Sequence, residues 1–228
     1  MRCVGASGRH QEEYLMKLST ALIALAVSAS AAIAPTAFAQ SADLSVSGRI
    51  FPGACVIEIG NGGVADMGDI RADTLNADLT TVLEPVDLPV TVTCESKVRF
   101  ALQGTDNAEN TSPSSSNYGL GLTPADEKIG GVSFNLSDVT ADGGAGYFTR
   151  SYTNGQYWTP ASAGGPYNIG KKDLVGFAKT QGGNTGPTPI ESLQAVLRVS
   201  AYIQPASSLT LTDEIVINGS ATINVMYL

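Results

Sequence analysis

Residues 221–228, ATINVMYL, set Ile223, Val225 and Tyr227 on one face of an extended chain and Thr222, Asn224 and Met226 on the other. Side chains alternate faces along a strand, so this stretch reads as a half-buried β-strand. The sequence stops there, with neither a turn nor a polar tail after it. What covers the second edge of this strand is the question that organises the rest of the chain.

Working outward, SLQAVLRVSAYI (192–203) and EIVI (214–217) make the C-terminal region strand-rich. Near the other end, ADLSVSGRIF (42–51) alternates Leu44, Val46, Gly48 and Ile50 against Ser45, Ser47 and Arg49, and Pro52-Gly53 breaks it. CVIEI (55–59) is the next strand, GNGG (60–63) a turn, and VDLPVTVTC (86–94) and VRFALQG (98–104) two further strands. From Thr105 to Pro189 the sequence is loosest, with NAENTSPSSSN, ADGGAG, ASAGG and QGGNTGPTP. Within it GYFTRSYTNGQYW (146–158) carries the best hairpin signal, because Asn154-Gly155 suits a type I′ turn between two aromatic-bearing strands. The 228 residues are 43% hydrophobic, with 25 glycines and 11 prolines punctuating short segments and no long 3.6-residue period. One all-β globular domain follows.

The N-terminal region reads as an export signal. Met16-Lys17 opens a positive segment, LIALAVSASAAIA (22–34) is apolar, and Ala37-Phe38-Ala39 has small-x-small cleavage chemistry. The alternative is a membrane anchor, which needs about 20 apolar residues and which Ser and Pro interrupt here. Residues 1–15 do not belong to such a signal. Codons for Gln11-Glu12-Glu13 can spell a purine-rich ribosome-binding sequence, so Met16 is the expected start and 1–15 a misassigned extension. The expected organisation is 1–15 extension, 16–39 signal peptide and 40–228 one domain.

Cleavage after Ala39 takes away Cys3 and the sole histidine, His10. Without histidine, Ser-His-Asp and Cys-His catalysis and histidine-ligated metals are unavailable, and no cofactor or metal site is expected. Paired carboxylates leave a glycosidase formally open. The remaining Cys55 and Cys94 are an even pair in an exported chain, which favours a disulfide over two free thiols. The net charge of −8 lacks the basic face that nucleic acid or anionic lipid requires. IGNGGVA (59–65) fits a dinucleotide-loop pattern in form, but no helix follows to receive a pyrophosphate, and a turn is expected. TDNAEN (105–110) offers oxygens to calcium without the spacing of a known loop. Trp158, with Tyr152, Tyr157 and Tyr167, is a possible glycan contact, against the alternative of buried sandwich aromatics.

The two ends taken together, LSVSGRIF with a cysteine soon after it and ATINVMYL with Tyr next to last, resemble the pilin subunits of chaperone–usher fimbriae. GRIFPGACVIEIGNGGVADMGDI (48–70), TDNAENTS and YGLGL (118–122) are similar to an uncharacterised family of proteobacterial fimbria-like secreted proteins. The resemblance covers nearly all of residues 40–228. It implies an immunoglobulin-like sandwich that lacks its last strand and is completed by a donor strand. On that pattern Leu44, Val46, Gly48 and Ile50, within 42–51, match the donor. Ile223, Val225 and Tyr227 match the strand lining the acceptor groove, and the Leu228 carboxylate matches the group that chaperones anchor. The cysteine pair fits the same pattern, linking the first strands. The partners implied are a periplasmic chaperone, an outer-membrane usher and neighbouring subunits, on the way to a surface fimbria that serves adhesion without catalysis. Two departures are a donor that begins almost at the expected mature N-terminus and a long Gly/Ser-rich middle. The alternatives are a self-sufficient sandwich, in which Asn218-Gly219 turns EIVI back on SATINV, and a secreted carbohydrate-binding module.

Overall fold

The computed structural model describes Ser45 and residues 54–228. The expected extension, signal peptide and donor strand, including Leu44, Val46, Gly48 and Ile50, lie outside the described residues. In chain order the strands are β1 (Cys55–Ile59), β2 (Thr81–Val82), β3 (Val86–Val98), β4 (Phe100–Asp106), β5 (Tyr118–Gly119) and β6 (Gly130–Ala141). They continue with β7 (Gly144–Ala145), β8 (Tyr147–Ser151), β9 (Tyr167–Asn168), β10 (Leu174–Ala178), β11 (Ile190–Ile203) and β12 (Ala221–Tyr227). No α-helix occurs among the described residues, and none of their helical turns is long or apolar enough to cross a membrane.

All pairings are antiparallel and fall into two sheets. The first runs β1-β3-β11-β6-β5, with β2, β7 and β9 attached at its margins, and the second runs β12-β4-β10-β8. The fold is a β-sandwich. Its core is one cluster fed by both sheets: Val90, Val92, Leu136, Leu193 and Leu197 from the first, Phe100, Leu102, Phe148, Val175 and Phe177 from the second. Phe177 lies 5.8 Å from Phe100 and 5.9 Å from Phe148 between ring centroids, and Phe148 stacks at 4.6 Å on Tyr167 of the facing sheet. Offset and tilted ring pairs of this kind add to the apolar area they bury.

VRFALQG does not form one strand. Val98 ends β3 in the first sheet, Arg99 is the break, and β4 begins at Phe100 in the second. Val98 and Phe100 are both buried while Arg99 is exposed, so the chain crosses between sheets through one polar residue and keeps its apolar neighbours inside. The disulfide joins Cys55 of β1 to Cys94 of β3, which face each other in register. β1 pairs with β3 as far as Ile59–Val90. The next residue of β3 towards its start is Pro89, whose ring occupies the space where a side chain on Gly60 would sit. Proline has no N–H for a ladder, so the pairing stops there. GNGG then turns, with Asn61, Gly62 and Gly63 at positive φ.

The segment Thr105–Pro189 holds more structure than its composition suggests. β6 is an inner strand of the first sheet, and its alternation is broken by a register shift opposite Gln194–Val196, close to Asp138 at φ 51°. β10 is buried on both faces and shows no alternation. The Asn154-Gly155 turn forms as expected, with φ of 53° and 87° and Gln156 N–H donating to Thr153 O at 3.3 Å. The second arm of that hairpin does not become a strand. Residues 159–162 follow β8 through Thr159 N–H to Arg150 O at 2.8 Å and a reciprocal Phe148–Ser162 pair, with Pro160 removing one of the donors a ladder needs.

Candidate functional site

β12 pairs in full register with β4, from Ala221–Asp106 to Tyr227–Phe100. Among the described residues no strand lies on its other flank. β1, at the edge of the first sheet, likewise pairs with β3 alone. The two edge strands meet at one point, where Cys55 N–H donates to Tyr227 Oη at 2.7 Å. From there β1 runs towards Ile59 while β12 runs back towards Ala221, so Ile57 and Ile59 line one side of this margin and Val225 and Ile223 the other. All four are half-buried and packed against the core cluster.

Between the segment that follows β1 and the one that precedes β12 lies a cavity of about 600 Å³. One wall is Val64–Leu75, the stretch that follows the GNGG turn, with Met67 and Ile70. The other is Leu209–Ile217, with Ile215 and Ile217. Ile129 and Ile203 of the core form its floor, and Asp66, Asp69, Asp213 and Glu214 supply carboxylates around it. The result is an apolar trough with an acidic rim.

EIVI is not a strand, and it does not turn back on SATINV. Ile215 and Ile217 pack on the core, Val216 is 71% exposed, and Asn218 N–H donates to Leu120 O at 3.0 Å. That bond ties the segment to the first sheet and takes it away from β12. The in-chain hairpin of the alternative reading is therefore absent, and EIVI becomes a wall of the trough. Glu127 fastens the start of this wall, accepting from Thr210 N–H at 2.7 Å, Thr210 Oγ1 at 2.9 Å and Thr123 Oγ1 at 2.9 Å. These bonds, the Thr210 amide foremost, hold its carboxyl below the usual glutamate range.

The acid-rich TDNAEN turn is spent on structure. The buried Asp106 carboxylate accepts from Ala108 N–H at 3.1 Å, Gly119 N–H at 3.2 Å and Lys171 Nζ at 3.3 Å. Asn107 Nδ2 donates to Ser220 Oγ and Thr222 Oγ1, both at 3.1 Å, and so holds the start of β12.

Trp158 is not an open platform. Its indole N–H donates to Gly155 O at 3.0 Å, and the ring lies so close over Gly176 and Gly186 that a Cβ on either would fall within 2.8 Å of it. Tyr167 is likewise occupied, stacked on Phe148. Tyr152 and Tyr157 are the exposed aromatics of this group, at 67% and 76%. Leu228 continues β12 by donating its N–H to Arg99 O at 3.1 Å. Within this group, solvent exposure is greatest at Tyr157, the neighbour of Trp158.

Residues 44–117 match the model of a protein family of unknown function, DUF1120. That stretch includes β1 to β4 and the disulfide. Over nearly its full length the chain is also similar to two Escherichia coli K12 proteins. It is 23% identical to protein GltF, across 92% of this chain and 98% of that one. It is 24% identical to the uncharacterized protein YhcF, across 83% and 93%. The chain is thus similar to proteins of its own length, and its first four strands carry the DUF1120 pattern.

Proposed function

We propose that this chain is a non-catalytic structural subunit of a surface fibre, exported through the periplasm and assembled by strand addition at the β1–β12 margin. The observation that carries this reading is the state of β12: among the described residues it is an edge strand with a half-buried apolar face and no strand on its outer flank, and EIVI, just before it in the chain, lines a trough instead of pairing with it. An exposed apolar edge is a template for a further strand and, left bare, an aggregation hazard. Strand addition meets both conditions, since backbone bonds give affinity and alternate side chains entering pockets give register.

The occupant is residues 42–51 of a neighbouring subunit, with Leu44, Val46 and Ile50 turned towards the apolar face of β12 and Gly48 at the small position of the donor motif. Arg49 lies within this segment, and the acidic rim of Asp66, Asp69, Asp213 and Glu214 is complementary to it. A periplasmic chaperone holds the same edge before assembly and engages Leu228, and an outer-membrane usher exchanges it for the neighbour's strand. Contacts of this head-to-tail kind do not close on themselves and so generate a fibre.

The test expresses the chain from Met16 into a periplasm and sizes it by chromatography and unheated SDS gel, beside a form lacking the eleven residues after Ala39 and a Gly48→Trp variant. The expected result is a ladder from the parent chain and none from either variant, each of which remains soluble with a chaperone. A compact monomer from the parent chain, with its N-terminal segment intact and no chaperone needed, overturns the reading.

A further inference from the structure

A second cavity, of about 440 Å³, opens where four separate segments meet. Arg99 comes from the break between β3 and β4, Gln156, Tyr157 and Trp158 from the stretch after the Asn154-Gly155 turn, Asn184 and Thr185 from the loop between β10 and β11, and Leu228 from just after β12. Its volume suits one or two sugar rings.

The walls are fixed before any ligand arrives. Trp158 is pinned by its bond to Gly155 and by Gly176 and Gly186 beneath it. The Tyr157 amide donates to Thr153 Oγ1 at 2.9 Å. Yet the Tyr157 ring stands 76% exposed. An exposed aromatic on a rigid backbone offers a face to apolar C–H groups at little ordering cost. Arg99 is exposed, and among the described residues no carboxylate pairs with its guanidinium. In a chain with a net charge of −8, a cation left unpaired beside an aromatic face marks a place for an anion.

We infer that this cavity binds an acidic saccharide. Arg99 takes the carboxylate, Tyr157 lies against the C–H face of the ring, and the amides of Gln156 and Asn184 and the Thr185 hydroxyl meet its hydroxyl groups. An arginine fork matches a carboxylate with two parallel hydrogen bonds, so the charge and not the ring sets the preference. The inference does not rest on strand exchange, because the cavity uses neither the trough nor residues 42–51; it shares with the assembly reading only Leu228.

The sole tryptophan of the chain lines the cavity and supplies the readout. The exported full-length protein is titrated with sodium glucuronate and, separately, with methyl glucoside, following Trp158 fluorescence and saturation-transfer NMR of the sugar. Saturable binding of glucuronate is expected, at least about tenfold tighter than the neutral sugar. Arg99→Gln removes that preference and Tyr157→Ala abolishes binding of both, with unfolding transitions unchanged because both side chains face solvent. No saturable response, equal response to the two sugars, or binding that survives both substitutions overturns the inference.

Discussion

The two lateral edges of the second sheet are finished differently. At β8 the chain folds back as residues 159–162 and returns backbone bonds to Phe148 and Arg150, and Phe148, Thr149 and Ser151 are fully buried. At β12 no such segment arrives among the described residues, and Ile223, Val225 and Tyr227 stay half-buried. Both edges carry apolar side chains, so composition does not separate them. What separates them is where the neighbouring chain is tied: 159–162 is bonded to β8, whereas 213–218 is bonded through Asn218 to Leu120, away from β12. An edge that the chain closes for itself serves stability, and one without a partner among the described residues is available for recognition.

The contrast yields predictions, the largest of them in the sealed interior. Phe177→Ala removes a fully buried ring that bridges Phe100 and Phe148. A loss of about 3–5 kcal/mol is expected in denaturant unfolding. Ile223→Ala, at the open edge, is expected to cost the isolated subunit about 1 kcal/mol, since much of its area is already exposed. Equal costs for the two would erase the distinction between the edges. Reducing the Cys55–Cys94 disulfide, which fixes β1 across a separation of 39 residues, is expected to cost about 2–4 kcal/mol. Its first effect is the release of β1, read as faster amide exchange over 55–59.

Tyr227→Phe strips the acceptor from Cys55 N–H at the point where the two edge strands meet. A loss of about 1 kcal/mol is expected, with faster exchange at Cys55 and no change along β8. The smallest effect is one of pH. The carboxyl of Glu127 is lowered by the Thr210 amide and by the Thr123 and Thr210 hydroxyls. A depressed folded pKa contributes stability above the unfolded value, about 4.3, that disappears as pH falls through the folded value. The 209–217 wall is therefore expected to loosen below about pH 4 in the parent chain, and Glu127→Gln to flatten that dependence. Amide exchange at Thr210 compared at pH 7 and pH 3.5, corrected for the intrinsic rate, reads it.

Much of this frame is legible before any coordinates. β1, β3, β11 and β12 follow from alternation, and the disulfide from an even cysteine pair. β6 escapes because its register shift, close to Asp138 at positive φ, breaks the period. β10 escapes because LVGFA is buried on both faces and so has no period. EIVI has strand composition, but its backbone is captured by Leu120, a tertiary event that no local pattern encodes. The acceptor edge itself is suggested by resemblance and not by alternation, because the pattern of β12 is the same whether or not a neighbour covers it.

The most direct test of the open edge is hydrogen–deuterium exchange along β12 in the exported chain lacking residues 40–50, before and after adding a peptide of residues 42–51. Fast exchange at the outward-facing amides of Thr222–Met226, slowed by the peptide and unaffected by a Gly48→Trp peptide, is the predicted result. Slow exchange there without any peptide, or indifference to it, would mean that the edge is already closed and would contradict the account.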